Sequence, residues 1–491
     1  MIKPFKYIPL FMSLLMTANV YAQFSASNMA EFQGGNLPGS EPSNLLTFYD
    51  QLDLSYRYNA FRFNSRIEQF HASNENPYEY IRLSQLSANY RKKGLEVKLG
   101  NFYETLGRGL LLRGYEIKNS VFEDRIYRSR QGFYKDISGA NMNYRLENWQ
   151  IKALWGKTLN NQLPATHPDR RLDVVAGSEI IYQFQNFSLG GIYMNHQLSE
   201  QTSHFASIHM EGNISNSITY YGELAKNISA QPNFYTFTDD DQYGAYFNIN
   251  YSHNDFGASF ELKDYHHFTI GSGIADAPTL VKEQSYRLLN RSTHVAEFFD
   301  ESGYQLEAFY RLKNDAFLTF NHALASNHFG NTDFLFYEFF LEGYFPQKNG
   351  QVKTFLDYSS DEFTSEANRY SAGVYYTRTL SKGWALSVET EVQSSSRNSD
   401  RFTNAYFGLI ASQSTKFSAG LLFEISTDPF LLDEGEASKK FPGISLAYRI
   451  NTKNNIQLFA GNRRGGPACT SGICYEVLDF RGVELRYTLK L

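Results

Sequence analysis

Apolar and polar residues alternate with a period of two along most of the chain. This places successive side chains on opposite faces, so each such stretch predicts a β-strand with one apolar and one polar face. The strands are about ten residues long and often carry aromatic residues near their ends, as membrane-spanning β-strands do. The clearest examples are Leu95–Leu99, Tyr243–Tyr251, Tyr304–Leu312, Trp384–Val388, Phe417–Ser426 and Val483–Leu491.

These strands predict an all-β fold built as a single large transmembrane antiparallel β-barrel. One face of each strand then contacts lipid, and the other faces the interior. The alternative is a set of soluble β-sandwiches or a propeller, and the charged residues repeated on one face argue against it. We predict that Leu421, Phe423, Val483, Leu485 and Tyr487 face lipid and that Glu424, Glu484, Arg486 and Lys490 face the interior.

The connections between strands alternate between tight and long, as periplasmic turns and extracellular loops do. When this alternation is counted from the N-terminus and from the C-terminus, the two counts disagree between Asn290 and Asn331 about which connections lie on which side of the barrel. One further strand inside Tyr265–Arg291, around Thr279–Tyr286, restores the register, and another at Phe24–Gln33 starts the barrel. The expected number is about 26 strands, within a range of about 22 to 26, and it is even because both ends lie in the periplasm.

The first 22 residues read as an export signal. Lys3 and Lys6 precede a short apolar stretch, and Val20–Ala22 resembles a cleavage site, so we expect cleavage before Gln23. The predicted organisation is a signal peptide at 1–22 and an outer-membrane β-barrel at 23–491, exported to the outer membrane of a Gram-negative cell. Outer-membrane lipid and lipopolysaccharide are then its expected surroundings.

Composition narrows the class further. The 491 residues include 16% aromatic residues and 2 cysteines, and the mean hydropathy is −0.44. A disordered chain would lack the aromatic residues, a helical membrane protein would be more hydrophobic, and a disulfide-built module would have more cysteine. The net charge of −5 becomes −7 without Lys3 and Lys6, which gives no reason to expect a nucleic-acid partner.

Two stretches resemble an uncharacterised outer-membrane β-barrel family of the Bacteroidota. One is GNFYE at Gly100–Glu104 continuing into GRGLLLRGYE at Gly107–Glu116. The other is RGGPACTSGIC at Arg464–Cys474, followed by GVEL at Gly482–Leu485. The resemblance implies an outer-membrane barrel and implies no activity, because the family has none assigned.

The two cysteines, Cys469 and Cys474, are predicted to form a disulfide. An exported chain favours oxidation, and the short spacer containing Gly472 can fold back far enough to join them. A metal site is the alternative, but no histidine or third cysteine lies nearby. The expected role of this disulfide is to crosslink an extracellular loop.

The sequence offers little for catalysis, so we expect neither an enzyme nor a cofactor. It contains no nucleophile elbow, Walker or dinucleotide motif. His266 and His267 would point to opposite faces of a strand and could not bind one metal ion there. Asp239–Asp241 could bind Ca²⁺, but a solvated loop is the preferred interpretation. No metal site is predicted.

The segment Thr105–Gly132 is the best functional candidate. Three consecutive leucines, Leu110–Leu112, have no reason to lie in an exposed loop, whereas a loop folded into the barrel could pack them on the inner wall. Arg108, Arg113, Glu104 and Glu116 would then line a constriction in the lumen. We expect Arg108 and Arg113 to meet carboxylates of the inner face, namely Glu96, Glu261, Glu307, Glu389 and Glu391. An ordinary wide strand pair with a loop is the alternative.

Two functions fit these features. The first is a porin-like channel for small or medium solutes. The second is a structural or assembly barrel with a closed lumen that serves as a binding platform for other envelope proteins. A transporter with a folded plug domain is disfavoured, because the chain leaves no room for such a domain beside so many strands.

Overall fold

The computed structural model describes residues 23–491 except 230–233, 235, 239, 273, 275–276, 279–281, 296–299, 331, 399 and 471–472. The predicted signal peptide lies outside the described residues. Among the described residues, 24 strands form one antiparallel sheet in which each barrel strand pairs with the next one along the chain. The last strand pairs with the first, Ser27 opposite Lys490, so the sheet closes into a barrel. The predicted fold class is confirmed.

The barrel strands are β1 (Phe24–Asn36), β2 (Leu46–Tyr58), β3 (Phe61–Ala72), β4 (Tyr80–Lys92), β5 (Leu95–Phe102), β10 (Ile137–Leu146), β11 (Trp149–Thr158), β12 (Val174–Gln183), β13 (Phe187–Leu198), β14 (Gln201–Ser215), β15 (Ile218–Asn227), β16 (Tyr243–His253), β17 (Phe256–His266), β18 (Glu301–Arg311), β19 (Phe317–Phe329), β20 (Thr332–Gln347), β21 (Gly350–Asp361), β22 (Glu366–Thr379), β23 (Trp384–Arg397), β24 (Asp400–Gln413), β25 (Phe417–Ser426), β26 (Lys439–Asn451), β27 (Asn454–Arg463) and β30 (Phe480–Lys490).

Six short strands lie in the connections: β6 (Thr105–Leu106), β7 (Leu112–Arg113), β8 (Tyr115–Glu123), β9 (Arg130–Lys135), β28 (Gly466–Thr470) and β29 (Ile473–Val477). Short 3₁₀ helices span Pro168–Arg171, Leu289–Arg291, Lys313–Asp315 and Ser381–Gly383. None of the helices in the described residues is long and apolar enough to cross a membrane.

The number of strands, 24, lies within the predicted range. The predicted first strand exists as β1, but residues 282–286, the described part of the strand expected around Thr279–Tyr286, are not extended into the sheet. Residues 267–300 instead form one connection from β17 to β18. The two counts of the connections are reconciled in another way. The connection from β19 to β20 is only two residues long, although it lies at the long-loop end of the barrel.

The two faces of the sheet differ as predicted. Leu421 and Val483 are 56% and 48% exposed on the outer surface, whereas Glu424 on the opposite face is 1% exposed. Phe423 and Leu485 are exposed on the outside as well. The outer surface is therefore apolar and the inner surface polar, which is the distribution that a bilayer requires of a barrel.

Candidate functional site

Two long connections fold into the barrel instead of extending from it. The first inserted loop, residues 103–136, joins β5 to β10, and the second inserted loop, residues 267–300, joins β17 to β18. Leu110, Leu111 and Leu112 are at most 1% exposed and share one apolar cluster with inner-wall residues. The cluster also holds Phe268 and Ile270 of the second inserted loop. The two loops therefore meet inside the lumen.

The tip of the first inserted loop, which is the turn between β6 and β7, is held by two glutamates of the wall. Glu179 on β12 accepts a hydrogen bond from the backbone N–H of Gly107 at 3.1 Å, and Glu223 on β15 accepts one from Arg108 at 2.9 Å. Such hydrogen bonds to a charged group contribute about 1.5–3 kcal/mol each. Gly107 has φ +55°, and a Cβ there would lie 2.5–2.7 Å from the Glu223 carboxylate. A side chain at position 107 would therefore push the Glu223 carboxylate away from this contact.

The last part of the first inserted loop, from Arg130 onward, is anchored to a different part of the wall. Glu68 on β3 accepts hydrogen bonds from the Gly132 N–H at 2.7 Å and from the Tyr134 hydroxyl at 2.8 Å. Arg130 forms a buried salt bridge with Glu31 on β1. Buried pairs of this kind fix geometry, because separating one partner would leave an uncompensated charge.

The second inserted loop uses the same kind of anchor. Glu391 on β23 accepts hydrogen bonds from the backbone N–H groups of Arg287 and Leu288, at 2.7 and 2.8 Å. The Tyr286 hydroxyl donates to Glu342 at 2.6 Å, and its ring lies 4.0 Å from that of Phe355. Consecutive backbone amides thus bind inner-wall carboxylates in both loops.

The four residues predicted to line a constriction all lie on the first inserted loop, but they do not form one ring. The Arg108 guanidinium lies 4.4 Å from the Tyr221 ring, and Glu104 lies 3.8 Å from Lys152. Glu116 pairs with Arg66 on β3, on another part of the wall. Arg113 lies on β7, opposite Thr105.

Of the carboxylates expected around Arg108, Glu261 does lie within electrostatic range of its guanidinium. Arg108 forms no salt bridge in the described part of the chain, and its guanidinium lies over the Tyr221 ring. Glu391 does bind an inserted loop, but it binds the second one. Glu179 and Glu223 were missed because their partners in the inserted loop are backbone amides, which leave no signal in a sequence beyond the glycine at 107.

Four arginines gather where the second inserted loop approaches the end of β27. Glu424 is shared by Arg287 and Arg464, at 3.1 and 2.5 Å, and Arg463 lies 3.4 Å from Glu484. Arg291 has no carboxylate partner among the described residues, and burial together with the neighbouring guanidinium groups lowers its pKa to about 10. This arginine cluster, with an excess of positive charge, comprises Arg287, Arg291, Arg463 and Arg464.

A polar cavity of about 700 Å³ remains at the short-turn end of the barrel. It is bounded by the first strands of the barrel and by Glu116, Lys118 and Asn119 of the first inserted loop. Five basic and two acidic side chains line it, together with many serine and asparagine residues. We call this space the vestibule.

Cys469 and Cys474 form a disulfide across the β28–β29 hairpin. The hairpin does not extend freely from the barrel, because Tyr475 packs on Phe133 of the first inserted loop, with ring centroids 4.9 Å apart. Cys469 is 6% exposed, so burial alone would protect even a free thiol there from reagents added to folded protein.

We predict that denatured, unreduced protein takes up no alkylating reagent and that reduced protein takes up two equivalents, as measured by intact mass. Because the disulfide closes a very short loop, replacing both cysteines by serine should leave assembly of the barrel unchanged. Uptake before reduction would show free thiols.

His266 and His267 are arranged differently from the prediction. The strand ends at His266, and His267 has a left-handed backbone with φ +47°. The second ring therefore turns back, and the two ring centroids lie 4.3 Å apart. The predicted projection to opposite faces assumed a continuing strand, and the strand does not continue at His267. In the Asp239–Asp241 segment, Asp239 lies outside the described residues, and Asp241 pairs with Lys226 at 2.9 Å.

A buried histidine anchors the second inserted loop to two carboxylates of the wall. His294 Nδ1 lies 2.8 Å from Asp361 and Nε2 3.8 Å from Glu301, which in turn pairs with Lys263. Burial favours the neutral ring, but the hydrogen bonds and charges of both carboxylates outweigh it and raise the pKa of His294 to about 9. Because the pKa is raised, this anchor is fully present below pH of about 6.5 and is lost as the pH rises through about 9.

We therefore expect amide hydrogen exchange over residues 282–295, corrected for intrinsic rates, to accelerate between pH 7 and 10. The first inserted loop should not show this step. In a His294→Gln variant the step should be absent, and its persistence would assign it to another group.

The fold and the occupied lumen define the chain as a closed antiparallel β-barrel with an apolar outside and two loops inside. It belongs to a family of unknown function, DUF6029, whose model matches residues 14–328. The match confirms the resemblance to a family without an assigned activity, and the Bacteroidota origin stays a prediction. No curated protein matches the chain.

Several solved structures are similar to the chain at low sequence identity. The P pilus usher (PapC) translocation pore has 10% identity and a TM-score of 0.47, over 95% of this chain and 99% of that one. OccK5 (OpdH) of Pseudomonas aeruginosa has 12% identity and a TM-score of 0.37, over 82% and 98%. Wzi of Escherichia coli, an outer-membrane protein described as a carbohydrate-binding β-barrel, has 10% and 0.37, over 69% and 80%. At these identities and TM-scores, the similar structures assign no function to the chain.

Proposed function

We propose that the protein is an outer-membrane channel for small polar solutes, with a preference for anions, and that its two inserted loops form the constriction. The long loops face the cell exterior, and both chain ends face the periplasm. Outer-membrane lipid and lipopolysaccharide surround its apolar outer surface. The proposal includes no catalytic role and no cofactor.

The observation that carries the proposal is the anchoring of both inserted loops on carboxylates of the inner wall. A barrel of 24 strands encloses an interior far wider than a small solute. Gly107 and Arg108 bind Glu179 and Glu223 on one side, and Arg287 and Leu288 bind Glu391 on the other. Loops fixed at these points reduce a wide lumen to a narrow passage, and the vestibule below them opens at the short-turn end.

The charges inside the barrel support a preference for anions. The chain has a net charge of −5, yet the vestibule has three more basic than acidic side chains, five against two. In the arginine cluster, Arg291 has no carboxylate partner among the described residues. Fixed charges of one sign in a confined, low-dielectric passage concentrate the opposite ion.

Conductance of the purified protein in planar bilayers tests the proposal. We expect small, regular single-channel steps and, in a KCl gradient, a reversal potential that shows a higher permeability for Cl⁻ than for K⁺. Arg291→Gln should lower this preference. Arg311→Gln is the matched control, because Arg311 is an exposed residue at a short turn and pairs only locally with Asp315. Cation preference in the unmodified protein would contradict the anion assignment.

A closed binding platform for other envelope proteins is the second candidate. It is favoured by the number of anchors, since inserted segments contact the wall from β1, through Glu31, to β25, through Glu424. A platform predicts no conductance in the unmodified protein. Absence of channel steps in protein shown to be folded would therefore replace the channel with the platform.

A further inference from the structure

Three side chains that can act as metal ligands converge at the neck of the second inserted loop, where the chain leaves the barrel wall and returns to it. His266 is the last residue of β17, His267 begins the loop, and Asp300 directly precedes β18. Ligand atoms of all three lie within 4.8 Å of one another. The residues that leave the barrel wall and the residue that returns to it therefore form one cluster.

The distances within the cluster suit a metal ion. His266 Nδ1 lies 3.5 Å from Asp300 Oδ1, and His267 Nε2 lies 3.3 Å from Asp300 Oδ2. Around a tetrahedral Zn²⁺ with bonds of about 2.0–2.1 Å, neighbouring ligand atoms are separated by about 3.3 Å. Small adjustments of the side chains would bring all three ligands to bonding distance.

The backbone supplies a second observation. In a continuing strand, His266 and His267 would project to opposite faces. The left-handed φ of +47° at His267 turns its ring toward that of His266, so both imidazoles face the same carboxylate. Asp300 is largely buried, while both histidines remain partly exposed, so an ion can enter from solvent.

We propose that His266, His267 and Asp300 bind one divalent transition-metal ion of the Zn²⁺ class, which clasps the neck of the second inserted loop. Two imidazole nitrogens and one carboxylate oxygen favour Zn²⁺, Co²⁺ or Ni²⁺ over Mg²⁺ and Ca²⁺, which prefer oxygen ligands. Three protein ligands leave a fourth position for water or a solute group. The site does not depend on the channel function, and a bound ion would restrain the loop in a platform equally well.

Metal binding to the full-length protein, purified without a histidine tag, tests the site. We expect calorimetry to show one Zn²⁺ per barrel, and Co²⁺ to give the absorption of a tetrahedral complex. Millimolar Mg²⁺ or Ca²⁺ should not compete. A variant with His266→Ala and His267→Ala should bind on the order of 100-fold more weakly, and Asp300→Asn on the order of 10-fold more weakly.

The matched control carries His204→Ala and His253→Ala, which remove two other histidines on barrel strands. It should bind Zn²⁺ like the unmodified protein. Heat-modifiable mobility on gels establishes that each variant is folded. Equal binding by the two double variants, or no stoichiometric binding by the unmodified protein, would overturn the site.

The clasp is tested separately by hydrogen exchange over residues 264–272 and 300–304. Zn²⁺ should slow exchange there several-fold in the unmodified protein and should have no effect in the His266→Ala, His267→Ala variant. Because neither measurement involves transport, failure here is distinguishable from failure of the proposed channel. Binding at these histidines without slower exchange would overturn the clasp.

Discussion

Replacing Gly107 by valine is expected to increase single-channel conductance several-fold. The new Cβ would lie 2.5–2.7 Å from the Glu223 carboxylate, and the backbone at φ +55° is unfavourable for a branched side chain. The tip of the first inserted loop would then lose its bonds to Glu179 and Glu223 and leave the wall. Planar-bilayer conductance measures the effect directly, and sensitivity of cells to bulky antibiotics measures it in vivo.

Gly39→Val is the matched control for this change. Gly39 also has a positive φ, +76°, but a Cβ there would meet no atom within 4 Å. The control therefore has the backbone strain without loss of an anchor, and its conductance should be unchanged. An equal increase in both variants would show that strain in the chain, and not release of the tip, opens the passage.

Deletion of Gly107–Gly114 is the stronger form of the same test. Leu106 pairs with Leu112, and the Gly114 N–H donates to the Glu104 carbonyl, so the two limbs that the deletion joins run side by side. We expect higher conductance with unchanged assembly. Unchanged permeability would place the block elsewhere in the lumen and would favour the platform.

Leu86→Arg is expected to destabilise the barrel by about 2–4 kcal/mol, because it places a charge on the outer surface near the middle of β4. Leu86 is 56% exposed on that surface, which we propose contacts lipid. Reversible folding into lipid vesicles measures the free energy of unfolding, and heat-modifiable gel mobility measures the folded fraction.

Ser87→Arg provides the comparison, since Ser87 is the next residue of the same strand and lines the vestibule. An arginine there enters a polar, solvated space, so its cost should be much smaller. Equal costs at Leu86 and Ser87 would contradict the assignment of the two faces, and with it the membrane-spanning barrel.

The sequence determined the barrel, because every strand has one face in a polar and one in an apolar environment. That requirement produces the period of two, and it correctly assigned Leu421 and Val483 to the outside and Glu424 to the inside. The three consecutive leucines at 110–112 likewise indicated a loop folded inward, since such a segment stabilises the protein only when it is buried.

The number of strands was harder to predict from the sequence. Connection length does not encode the side of the barrel: Ser199–Glu200 and residues 330–331 are two-residue connections at the end where other loops exceed thirty residues. Only the pairing of each strand with its neighbours decides the count.

The anchors of the inserted loops were decided by tertiary structure alone. Glu179, Glu223 and Glu391 bind backbone N–H groups, which every residue other than proline carries, so no residue type identifies the contact beforehand. The cluster of His266, His267 and Asp300 depends on a single left-handed residue and on a chain that returns to the wall 33 residues after His267. Period and composition describe the surroundings of each strand, whereas contacts between distant segments exist only once the barrel has closed around its loops.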